Sequence, residues 1–145
     1  MWIGNLALAG IPFFAGYYSK DTILEAAWGS GTLVGQSAFW VGSAVAFMTA
    51  FYSWRLLILT FHGKPRADEH TMAHVHESPP VMIVPLIVLA IGALFAGGIG
   101  YEMFVGHERE HFWGEAIAVL AAHDSVEAAH GVPGWVKTLP VILAA

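Results

Sequence analysis

A lysine and an aspartate, Lys20 and Asp21, stand directly behind a stretch without charge, Leu6 to Tyr18, which is interrupted by Gly10, Pro12 and Gly16. Glu25 follows four residues on. A proline inside a helix removes a backbone donor and clashes with the preceding turn, so this segment is expected to be a helix broken between Gly10 and Gly16. Irregular backbone inside an apolar phase is tolerated where protein or a water-filled cavity satisfies it. An ionisable residue beside such a break is a candidate carrier of protons or ions. Ser19 is the expected N-cap of a second half-helix running to Trp28. Lys20 would then sit in its first turn, where the helix dipole and low polarity both disfavour the ammonium and Asp21 favours it. A lysine between such opposing influences can load or release a proton when a nearby charge moves. The residues also admit a plainer reading, in which Lys20 ends a crossing and reaches out to water beside an exposed Asp21.

The elements that must position these groups are set by composition. Hydrophobic residues make up 57% of the chain and charged residues 12%, against about 25% charged in soluble domains. The net charge is −5 and no basic cluster exists, which argues against nucleic acid as a partner. There is no cysteine, so thiolate metal sites, iron–sulfur ligation and disulfides are excluded for this chain. Apolar runs matched to a bilayer of about 20 residues per crossing give an all-α membrane protein with three transmembrane helices. They lie at about 2–28, discontinuous at Gly10–Gly16, at 38–61 and at 80–101. A truncated fourth begins at 138–145, and the abrupt ends read as those of a piece of a larger membrane protein. One amphipathic surface helix is predicted over about 110–129, with Phe112, Ala116, Val119, His123 and Val126 on one face. Lys64 and Arg66 favour a cytoplasmic 62–80 loop.

Other ionisable groups carry less. Arg55 lies within the second run and reads as an anchor or helix-pairing residue that can snorkel to headgroups. Glu25 either extends a polar route from Asp21 or faces water at the membrane edge. His70, His74 and His76 cluster, and His107 and His111 are four apart. Without further ligands they read as solvated loop residues, and no metal is assigned. Trp28, Trp40, Trp113 and Trp135 suit interfacial belts near the ends of the crossings.

The segment Ala7-Leu-Ala-Gly-Ile-Pro-Phe-Phe-Ala-Gly-Tyr-Tyr-Ser-Lys-Asp21 closely resembles the broken helix of the antiporter-like subunits of respiratory complex I, the NADH-quinone oxidoreductase subunit L or chain 5 family. Ala50-Phe-Tyr-Ser-Trp-Arg-Leu-Leu57, Leu59-Thr-Phe-His-Gly63 and His76-Glu-Ser-Pro-Pro-Val-Met-Ile-Val-Pro-Leu86 resemble its next helices in order and spacing. The resemblance implies proton translocation coupled to NADH:quinone oxidoreduction, with Lys20 as terminal proton carrier of the half-channel to the outside and Asp21 as its partner. It implies other complex I membrane subunits as partners, the neighbouring antiporter-like subunit above all, in a bacterial or mitochondrial inner membrane. No cofactor is expected in this chain, and FMN and iron–sulfur clusters would belong to partner subunits. The family's glutamate–lysine pair and histidines on earlier helices have no counterpart here. A monovalent-cation/proton antiporter subunit or an energy-converting hydrogenase subunit would share the lysine chemistry, and a passive membrane scaffold is the third reading.

Overall fold

A computed structural model describes residues 1–117, 119–120 and 123–144. Its helices are α1 (Trp2–Ala9), α2 (Ala15–Gly29), α3 (Leu33–Leu57, continued by a π turn Ile58–His62), α4 (Glu69–Ala73), α5 (Pro80–Phe104), α6 (Arg109–Trp113), α7 (Ser125–His130) and α8 (Gly134–Ala144). No strand occurs among the described residues. Among the described residues two helices are long and apolar enough to cross a membrane: Leu33–His62, with 30 residues, and Pro80–Phe104, with 25. At 1.5 Å per residue they reach about 45 and 37 Å, more than the hydrocarbon thickness of about 30 Å.

The start of α3 follows from Thr32, whose Oγ1 accepts the N–H of Gly35 at 3.0 Å. α5 begins with Pro80, where a missing donor costs nothing. The buried stripe of α3 is Phe39, Ser43, Ala46, Ala50, Ser53 and Leu57. Small and hydroxylic residues form most of it, the pattern that lets helices approach when the surrounding solvent is itself apolar. Against this stripe lie α1 and α2, which together run the length of α3. Trp2 packs edge-on to Trp54 and His62 at one end, with centroids 5.9 and 5.6 Å apart. Trp28 packs on Phe39 at the other end, 5.2 Å away. α8 closes that second end: Val136 joins Leu24 and Phe39 in the core, and Trp135 lies 4.8 Å from Trp28. α5 crosses α2 so closely that a Cβ on Gly97 would stand 2.6 Å from the Cα of Ala15.

Three expectations need correction. The break spans Gly10 to Phe14, and Gly16 lies inside α2. The chain resumes helix early because Phe13 takes a left-handed conformation, φ 77°, and completes the turn before Ala15. The expected surface helix over 110–129 is not continuous. Among the described residues its α-helical parts are α6 and α7, with 114–117 in turns and bends between them, and positions 118, 121 and 122 lie outside the described residues. Gly114, at φ 50° and ψ −126°, ends α6, and the carboxylate of Asp124 starts α7 by accepting from the N–H groups of Val126 and Glu127. The segment expected at 138–145 begins earlier, at Gly134, and its last position lies outside the described residues.

Candidate functional site

The last four carbonyls of α1, residues 6 to 9, have no partner among the residues of the helix itself. Gly10, left-handed at φ 86°, turns its N–H back to Leu6 and Ala7, and the N–H of Ile11 reaches Leu6 at 3.1 Å. The carbonyl of Ala9 has another partner. Lys20 Nζ donates to it at 2.9 Å, a charge-assisted bond across eleven residues of sequence. The Lys20 stem lies over Gly10, where an added Cβ would stand 3.1 Å from Cδ. Gly16 lets α1 come this near. A Cβ there would be 3.0 Å from the carbonyl carbon of Ala7 and would collide with its oxygen.

This reverses the expected electrostatics. Ser19 does not cap α2: its hydroxyl donates back to Gly16 O at 3.3 Å, inside the helix. Lys20 is therefore in the second turn of α2, past the positive end, and its ammonium rests at the negative end of α1. Where the plainer alternative has Lys20 reaching to water beside an exposed Asp21, Lys20 is half-buried and bonded across the break, and Asp21 is buried.

Asp21 is 7% exposed, and it makes no hydrogen bond or ion pair among the described residues. It points away from the Lys20–Ala9 contact because neighbouring residues on a helix diverge by about 100°. Tyr17, Asp21 and Glu25 instead share one face at intervals of four, and Tyr101 of α5 lies within electrostatic reach of Glu25. Glu25 is half-buried. Arg55 is exposed, two residues from buried Ser53 and so on the opposite face of α3, away from this group. The histidines at 70, 74 and 76 are exposed, with His74 Nδ1 2.7 Å from His70 O. Among the described residues no three metal-ligating side chains converge.

Two features of the site escaped the sequence reading. One is the acceptor carbonyl of Ala9, whose only sequence signal is the glycine after it. The other is Tyr17, four residues before Asp21 on the face that Asp21 shares with Glu25, which its spacing does announce.

The first 49 residues match the family model described as NADH:quinone oxidoreductase/Mrp antiporter, TM. NADH-ubiquinone oxidoreductase chain 5 of Chondrus crispus is 43% identical over 99% of this chain and 22% of its own length. The protein of the same name in Marchantia polymorpha is 37% identical over 99% and 22%. NADH-quinone oxidoreductase subunit L of Rhodobacter capsulatus is 48% identical over 78% of this chain and 17% of its own length. The chain thus spans about a fifth of the length of the curated relatives it matches.

Proposed function

We propose, from the premise that this chain belongs to the NADH-quinone oxidoreductase subunit L/chain 5 family, that it carries the outward part of a proton path with Lys20 as carrier and Asp21 as the group that receives its proton. The observation that carries this reading is the Lys20 Nζ–Ala9 O bond across the helix break. The ammonium of Lys20 is held by one neutral carbonyl and the negative end of α1. Such a holder lets go when the side chain swings or when a positive charge approaches along the path. The proton then passes to the buried carboxylate next to it in sequence. Pro12, Phe13 and Gly10 keep the break open, and so keep the acceptor carbonyl out of the α1 ladder.

In this reading α1 and α2 cross the bilayer together as a third, discontinuous span, and α8 opens a fourth. Their alignment along α3 from Trp54 to Phe39 supports it. The 62–80 loop faces the cytoplasm or matrix, and α6, α7 and the α2–α3 turn face outside. Arg55 anchors α3 toward the cytoplasmic headgroups. Electron transfer from NADH to quinone, with FMN and iron–sulfur clusters, resides in partner subunits, since no cysteine is present to ligate a cluster. The membrane partners are other complex I subunits, including the neighbouring antiporter-like one. The family description also names an antiporter. That second reading differs in its driving force: cation gradients in place of electron transfer.

The test is Lys20→Met and Lys20→Arg in the complete enzyme, reconstituted in sealed vesicles and assayed for protons moved per electron. Loss in Lys20→Met at normal assembly is expected, with Lys20→Arg equally impaired because a guanidinium does not give up its proton. Wild-type pumping by Lys20→Met would refute the carrier role and leave the scaffold reading. Pumping driven by a sodium gradient without NADH would select the antiporter reading.

A further inference from the structure

We propose that Glu25, His130 and Lys137 form the port through which the proton leaves, with α7 as its outer wall. This deepens the carrier reading above and rests on it. The connection between α5 and α8 comes into backbone contact with the end of α2. A Cβ on Gly29 would stand 2.9 Å from the carbonyl carbon of Ala128 and 3.1 Å from the nitrogen of Ala129, so backbone meets backbone there. Arg109 fixes this placement. Its Nη1 donates to Asp124 Oδ1 at 3.1 Å and its Nη2 to Oδ2, while the same carboxylate caps α7.

The consequence is chemical. His130 ends α7, and Lys137 Nζ donates to the His130 carbonyl at 3.3 Å. Both residues lie within electrostatic reach of Glu25 on the neighbouring end of α2. Along the face Tyr17–Asp21–Glu25 the environment opens by steps. Asp21 is more than nine-tenths buried and unpartnered among the described residues, Glu25 is half-buried, and His130 is exposed. Four residues of helix separate the two carboxyls by about 6 Å along the axis, within reach of a rotamer change or one bridging water. The transfer balances without any heavy-atom bond changing. The Lys20 ammonium becomes an amine as the Asp21 carboxylate becomes the acid. Asp21 then hands the proton to the Glu25 carboxylate, and Glu25 gives it to the His130 imidazole or to solvent.

The experiment uses the complete enzyme in sealed vesicles, with Glu25→Gln, Glu25→Asp, His130→Gln and Gly29→Val beside Lys20→Met. Glu25→Gln should lower protons moved per second about a hundredfold, the lower end of the range for a lost proton-transfer group. Glu25→Asp should keep most of the rate, since the carboxylate survives; a packing role would not rank the shorter side chain above the isostere. Gly29→Val pushes α7 off α2 with every titratable group intact, and it should also slow release. Glu25→Gln pumping as wild type overturns the port whatever Lys20→Met does, whereas a silent Lys20→Met overturns the carrier. If Glu25→Gln does not assemble, wild-type pumping by both His130→Gln and Gly29→Val overturns the port.

Discussion

Replacing Gly16 by alanine adds one methyl group at the contact that brings α1 over Lys20. The new Cβ would lie 3.0 Å from the Ala7 carbonyl carbon and nearer its oxygen, where carbon atoms ordinarily rest about 3.5–4.0 Å apart. Backbone must give way, because a carbonyl at the end of α1 has no rotamer to change. A retreat of about 1 Å stretches the 2.9 Å bond from Lys20 Nζ to Ala9 O beyond hydrogen-bonding range. Overpacking costs about 1–3 kcal/mol, and the lost bond to a charged group about 1.5–3 kcal/mol more. An alanine at Gly4 is the control, since its Cβ would meet nothing within 4 Å and removing a helical glycine stabilises by roughly 1 kcal/mol. Proton translocation by the complete enzyme in vesicles, with assembly followed on native gels, separates the two. Gly16→Ala should lose most of its pumping while Gly4→Ala keeps it. Equal pumping by both variants would refute the claim that the α1–α2 contact holds the carrier.

The outer end yields further tests. Phe39 is fully buried between Trp28 and Trp135, so Phe39→Ala should cost about 3–5 kcal/mol and lower the thermal dissociation temperature of the complex. The Asp124 carboxyl is held below its usual 3.8, first by hydrogen bonds from Arg109. Its tether on α7 is therefore complete above about pH 4 and is lost as pH falls through the lower folded value. Amide hydrogen exchange of the 125–133 segment, corrected for the intrinsic pH dependence of exchange, should rise in that acid range, and Asp124→Asn should exchange fast already at neutral pH with little further change on acidification.

The two long apolar helices, α3 and α5, were legible because a run without charge admits few alternatives. The burial pattern was not. α3 is apolar all round, so hydrophobicity does not mark its inner face, and the residues that do are Ser43, Ala46, Ala50 and Ser53. The break was legible from type and order, but the start of α2 was not. Ser19 has the chemistry of an N-cap, while the actual start depends on Phe13 at φ 77°, a conformation that phenylalanine does not advertise. The stripe from Phe112 to Val126 has helical period, yet Gly114 and the cap at Asp124 divide it. Local backbone chemistry outweighs period where a segment has few apolar partners.

The charge on Lys20 belongs to one helix and its holder to another, which gives α1 a particular leverage. The side chain rises from α2, and the carbonyl that receives it closes α1, whose eight residues span about 12 Å. The far end of α1 is fixed by Trp2 against Trp54 and His62, at 5.9 and 5.6 Å. Each such aromatic contact contributes about 0.5–1.5 kcal/mol beyond burial. Trp2→Ala removes both, frees α1 to tilt about Gly10, and touches no titratable side chain of the site. If the Lys20–Ala9 bond sets the carrier's readiness, Trp2→Ala should slow pumping in the assembled enzyme while Trp2→Phe, which keeps an aromatic ring at the contact, restores it. If pumping is indifferent to both, the carbonyl of Ala9 is a resting place for the ammonium and α1 has no part in its release.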